Sequence, residues 1–168
     1  GTSVALSSDG SIVAIGAHFN DGNGTSAGHV RVYENVSGTW TQIGSDIDGE
    51  AAGDVSGNDV SFNASGTTVA IGAPLNDGNG TDAGHVRVYE NVSGTWTQMG
   101  SDIDGEAAGD QFGHAISLSS DGDTIAIGGR GNDGNGTDAG HVRVYGNVSG
   151  TWTQMGSDID GEAAGDQS

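Results

Sequence analysis

Short runs of alternating large and small apolar residues recur along the chain, each closed by a turn. In its last third, AISLS (115–119) meets SDGD and then TIAIGG (124–129). Past an acidic glycine loop come HVRVYG and, after NVSG, TWTQM. Runs of this length, rich in Val, Ile and Thr and bounded by Gly, Asn, Asp and Ser, predict β-strands joined as hairpins. In VAIGA (13–17), Val13 and Ile15 alternate with Ala14 and Gly16, large on one face and small on the other. Both faces are therefore expected to pack, as in a sheet stacked between neighbouring sheets.

The pattern repeats. GHVRVY begins at Gly28, Gly84 and Gly140, dividing the 168 residues into three units, 1–56, 57–112 and 113–168, with about four strands each. A four-stranded unit of this length, unable to bury both faces alone, predicts an all-β chain of β-propeller-type blades. The alternative, a parallel β-helix, has shorter coils and lacks hairpin turns. Propellers close with about 4 to 8 blades. Three are too few, so the chain is expected to be an excerpt of a longer protein or to join copies head to tail, in a ring or a filament.

Composition narrows the partners. Hydrophobic residues are 33% of the chain and glycine supplies 33 positions, which disfavours helices. The net charge is −19, and all four basic residues are arginine. Nucleic acid and anionic membrane surfaces require basic patches and are excluded as partners. Cations, neutral polymers such as glycans, and copies of the chain itself remain. No run approaches the roughly 20 apolar residues of a membrane-spanning helix, so no membrane insertion is expected. Cysteine is absent, which removes disulfides.

FGHAISLSSDGDTIAIGG (112–129) and VAIGAP (69–74) resemble the FG-GAP repeats that build the β-propeller head of integrin α chains and many secreted or surface proteins. Phe112-Gly113 is the intact FG and Gly72-Ala73-Pro74 the intact GAP, while the other units carry variants such as Ser56-Gly57 and Gly16-Ala17-His18. The resemblance implies propeller blades, an extracellular or cell-surface location, and a role in adhesion. It also implies a calcium loop between the first two strands of a blade. That place holds SSDGS, NASGT and SSDGD here, too poor in carboxylates for the six to eight oxygens calcium takes.

Calcium is nevertheless the cofactor left open elsewhere. NDGNGTDAG (76–84) sets Asp77, Asn79 and Asp82 along one loop, and DIDGEAAGD sets Asp102, Asp104 and Asp110 along another. The competing reading of both is solvated turn carboxylates. Seven N-x-S/T sequons, at Asn23, Asn35, Asn63, Asn79, Asn91, Asn135 and Asn147, fall mostly in predicted turns and are candidate glycan acceptors in a eukaryotic secretory source. At Asn79 sugar and calcium compete for one side chain. Trp40, Trp96 and Trp152, one per unit, are candidates for glycan binding or for packing at the blade edge.

Arg31, Arg87 and Arg143 alternate with Val in HVRVY, so they are expected to point away from the apolar face and to pair with carboxylates of the next strand or blade. His29, His85 and His141 share their face and are expected to be structural. The sequence holds no nucleophile elbow, zinc-protease motif or phosphate loop. The expectation is a non-enzymatic extracellular structural or adhesion protein assembling head to tail, with a multivalent lectin-like propeller as the alternative.

Overall fold

A computed structural model describes residues 1–168. The chain forms three antiparallel sheets, one per repeat. In the first, β1 (Ser3–Leu6), β2 (Ile12–Ala17), β3 (His29–Val36) and β4 (Thr39–Gln42) lie in chain order, and a short β5 (Ile47–Asp48) also pairs with β3. The second sheet repeats this with β6 (Asp59–Phe62), β7 (Thr68–Ala73), β8 (His85–Val92), β9 (Thr95–Gln98) and β10 (Ile103–Asp104). The third has β11 (Phe112–Leu118), β12 (Thr124–Gly129), β13 (His141–Val148), β14 (Thr151–Gln154) and β15 (Ile159–Asp160).

The outer position of each blade is thus shared by two pieces. Thr95–Gln98 pairs with the end of β8, and Ile103–Asp104 with its beginning. The intervening MGSD leaves the ladder at Gly100, whose φ of +76° suits glycine. The hairpin between β3 and β4 turns on Ser37 and Gly38, at φ +53° and +88°. Positive φ at both central residues is the geometry whose twist matches that of the paired strands.

The large and small faces of each sheet meet different neighbours. Val69 and Ile71 of β7 pack toward the first blade with Val30, Val32 and Ile47. Ala70, between them, packs toward the third blade with Ile125 and Ile127. Gly72 is small because the next blade arrives there: a Cβ on it would collide with the Gly113 carbonyl oxygen. Blade follows blade through backbone bonds from Ser8 N to Ala64 O (2.8 Å) and from Ala64 N to Ser120 O (2.9 Å). Each seam between blades is a core of its own.

Candidate functional site

The three arginines do not point away from the apolar face. Arg87 stands opposite Ile71 in the ladder and therefore on the same side, and both Arg87 and Arg143 are buried in seams. Their aliphatic stems pack while their heads find carboxylates. Arg143 grips Asp158 of its own blade through Nε (2.9 Å) and Nη2 (2.7 Å), and reaches Glu106 of the preceding blade. Arg87 donates to the Asp48 carbonyl oxygen (2.8 Å) and lies 3.5 Å from Glu50. Arg31, whose side faces no blade, keeps only its own-blade partner, Asp46, at 2.7 Å. The Arg31 guanidinium holds the Asp46 carboxyl down to about 2.

His85 and His141 sit in the same seams. Each is almost wholly buried, with Nδ1 at 3.7 Å from Asp102 and 3.9 Å from Asp158 respectively. Burial, reinforced by the adjacent arginine, pushes both imidazoles below their ordinary range, so they stay neutral. His29/Asp46/Asp48, Glu50/His85/Asp102 and Glu106/His141/Asp158 are the close groupings of metal-type ligands. In the third, the Arg143 guanidinium already lies between Glu106 and Asp158, where a cation would sit.

The two acidic motifs are hydrogen-bonded to each other. In the second repeat, Asp77 Oδ1 accepts from Asp82 N (2.9 Å), and Asn79 Nδ2 donates to Gly105 O (2.7 Å). Asp110 is buried, accepting from Ala107 N (3.1 Å) and from Asn132 Nδ2 of the next blade (3.3 Å). Asp102 accepts from Gln98 Nε2 (2.6 Å), and burial raises Asp104. Of the six positions proposed for calcium, only Asp102 falls within one of the close ligand groupings.

The sequons divide by what their side chains do. The amides of Asn23, Asn79 and Asn135 each donate to a carbonyl of the DGEAAGD segment, at 2.7, 2.7 and 2.8 Å. Asn63 is buried, bonding Thr67 and Thr68 through both ends of its amide. Asn35, Asn91 and Asn147 lie at the β3–β4, β8–β9 and β13–β14 hairpins, where Oδ1 accepts from the turn glycine. Among these, Asn35 is exposed and Asn91 partly so.

The tryptophans clasp neighbouring blades. Trp96 Nε1 donates to Ile43 O and Trp152 Nε1 to Met99 O, each at 3.0 Å and each across a seam. Trp40 has no preceding blade and is 46% exposed. It belongs to an apolar groove with Leu6, Val13, Ile15 and Tyr33, the face that the first blade presents outward. The matching positions of the second blade, Val60 and Phe62, are covered, whereas Val4 and Leu6 are 69% and 61% exposed. On the third blade the opposite face is open: Met155 and Ile159 are 55% and 61% exposed, against 5% for Ile103 in the second.

A second concavity, of about 160 Å³, crosses one end of all three sheets. It lies just past the second strand of each blade, at His18, Pro74 and Arg130, and was not anticipated from the sequence. The signal available there was the variability of HFN, PLN and RGN among otherwise near-identical repeats.

Residues 102–145 match the FG-GAP repeat family model, so the resemblance carried by Phe112-Gly113 and the strands after it holds over the end of the second repeat and most of the third. Among solved structures, the crystal structure of the tricorn protease is similar in fold. The TM-score is 0.50 at 12% identity, covering 89% of this chain and 14% of that one. The chain thus spans a small part of that protein's length, and the likeness bears on the arrangement of blades alone. No curated protein matches the chain.

Proposed function

We propose that the chain is a non-enzymatic structural or adhesion repeat module of the cell exterior, whose copies join head to tail through their open blade faces. The observation that carries this reading is the complementarity of the two faces. The first blade offers the large face, with Leu6, Ile15 and Trp40, and the third offers the small one, with Met155 and Ile159. Both internal seams are built by pressing these two kinds of face together. In a third such seam, Trp40 Nε1 would donate to Met155 O and Arg31 would meet Glu162, as their equivalents do within the chain. A heterologous contact of this kind closes a ring when the rotation permits and otherwise extends a filament. Further repeats in a longer chain would dock on the same faces.

The seam carboxylates, imidazoles and guanidiniums recur with the repeat and are spent on one another, which supports a scaffold over a catalyst. The exterior location draws on the FG-GAP resemblance. The lectin alternative draws less support, since the indoles of Trp96 and Trp152 are engaged in seams.

Sedimentation velocity over a range of concentrations tests the assembly. The native chain is expected to form dimers or longer species, and Leu6→Asp, which sets a charge on the open large face, to return it to monomer. A native chain that stays monomeric while folded would overturn the reading.

A further inference from the structure

Most positions of the repeat are identical in all three copies, so most surfaces of the molecule occur three times over. The concavity at the end of the sheets is different. One repeat position supplies His18, Pro74 and Arg130, and the next supplies Phe19 and Leu75. Val55 and Gln111, which precede the first strands of the second and third blades, share another, and Asn58 and His114 share the last. Every lining position of this groove thus differs between repeats, which gives it the chemical asymmetry that a specific ligand requires.

The charge there runs against the rest of the chain. The protein carries −19, yet the lining contains an arginine and no carboxylate, and of its two histidines burial lowers His114, so the fixed positive charge there is the guanidinium. Arg31, Arg87 and Arg143 each have a carboxylate partner, at 2.7, 3.5 and 2.7 Å. Arg130 has none. Its Nε donates to Gln111 Oε1 (2.6 Å), which fixes the plane of the guanidinium and leaves the two terminal nitrogens without partners. The nearby Asp59 is engaged, its Oδ2 accepting from Ile116 N at 2.8 Å. The other wall is apolar: Phe19 is 70% exposed and held edge-on against the His18 ring at 4.0 Å, and Leu75 is half-buried. A planar guanidinium with its outer edge free matches a carboxylate bidentately. At physiological salt the distant acidic residues are screened within about 8 Å, so the local contact outweighs the overall repulsion.

We propose that this groove binds a peptide segment carrying an acidic side chain beside an apolar one, the carboxylate on Arg130 and the apolar side chain against Phe19 and Leu75. A peptide is favoured over an acidic glycan because the wall joins the aliphatic Leu75 to Phe19, a surface that an apolar side chain covers better than the hydroxyl-bearing face of a uronate ring.

The test is selection of displayed random heptapeptides on the immobilised full chain at physiological ionic strength. Selected peptides are then titrated by fluorescence anisotropy, with trigalacturonate and acetate as parallel probes. Enrichment of acidic–apolar pairs is expected. Arg130→Gln should weaken the selected peptides roughly ten- to a hundredfold, the loss of hydrogen bonds to a charged group. Arg130→Lys should weaken them less, and Phe19→Ser should remove the apolar preference. Arg130 is exposed, so circular dichroism of these variants should be unchanged. The proposal fails if no peptides are enriched, if enriched peptides bind Arg130→Gln equally well, or if only trigalacturonate or acetate binds.

Discussion

Phe112 offers a direct measure of what one seam is worth. Its side chain is fully buried between the second and third blades. There it meets His141 edge-on at 5.8 Å and Tyr145 at 6.3 Å between ring centroids. The same repeat position holds Ser56 at the seam between the first and second blades. Phe112→Ala removes the ring but leaves the backbone bond from Phe112 N to Ala83 O (2.9 Å) in place. Emptying a buried phenylalanine site costs about 3–5 kcal/mol, within which the edge-to-face contacts account for about 0.5–1.5 kcal/mol. With a urea dependence of about 2 kcal/mol per molar, the unfolding midpoint of the affected blade should fall by roughly 2 M.

The tryptophans report the seams separately, since Trp152 bonds Met99 across the second seam and Trp96 bonds Ile43 across the first. In single-tryptophan backgrounds, Phe112→Ala should lower the Trp152 fluorescence midpoint and move that of Trp96 far less. This follows if each blade is held mainly by its neighbours. Equal shifts at both tryptophans would show that the chain unfolds as one unit. A shift below about 0.5 M at Trp152 would show that the seam collapses to refill the site and does not hold a rigidly packed ring.

Acid should act in two stages. His85 and His141 have folded values below the unfolded value of 6.5, chiefly through burial. The native state therefore binds fewer protons, and stability falls as pH drops from about 7 through the unfolded value toward the folded ones. Arg87, Glu50, Asp54 and Asp102 surround the first imidazole, and Arg143, Glu106, Asp110 and Asp158 the second. Asp46, lowered to about 2, and the depressed Glu106 and Asp158 withdraw their contribution later, below about pH 4. Burial, with Arg130 nearby, also lowers His114, so denaturation midpoints against pH should lose most but not all of the first stage in the His85→Gln/His141→Gln double variant, and an unchanged slope would contradict the assignment. In a eukaryotic secretory host, intact-mass and peptide mapping should find sugar at Asn35 and Asn91 and none at the buried Asn63. Occupancy at Asn63 would contradict its native hydrogen bonding.

The repeat length, the blade strands and the large-and-small alternation of VAIGA were legible because each follows from a period of two inside a period of one repeat. The partners were not legible, and the repeat itself hid them. When units are identical in sequence, a motif cannot declare whether its partner is in its own unit or the next. Asn79 bonds Gly105 within its own repeat, whereas Asn76 bonds Asp54 of the repeat before. The alternation in HVRVY predicts one apolar and one polar face. In a stacked blade both faces are interior, so Arg87 and Arg143 enter a seam. The end groove was hidden for a related reason, since its residues come from three units and no window of sequence contains them together.

This division between shared and differing positions also ranks the seams. The seam between the second and third blades has features that the first lacks. Asp59 Oδ2 accepts from Ile116 N (2.8 Å), Ser61 Oγ accepts from Leu118 N (3.0 Å), and Phe112 fills the interior. At the first seam the corresponding inner-strand contact is a single bond from Ser3 Oγ to Gly57 O, at 2.8 Å. Ser56 there leaves a buried hydroxyl without a partner. A seam between two copies would set Ala115 in the place of Asp59 and Ser168 in that of Phe112. It would keep the tryptophan clasp and the arginine–glutamate contact but lose the aspartate bond and the buried ring. Junctions between copies would then be weaker than the seam between the second and third blades, and an assembly of this chain should come apart at its junctions before those two blades separate.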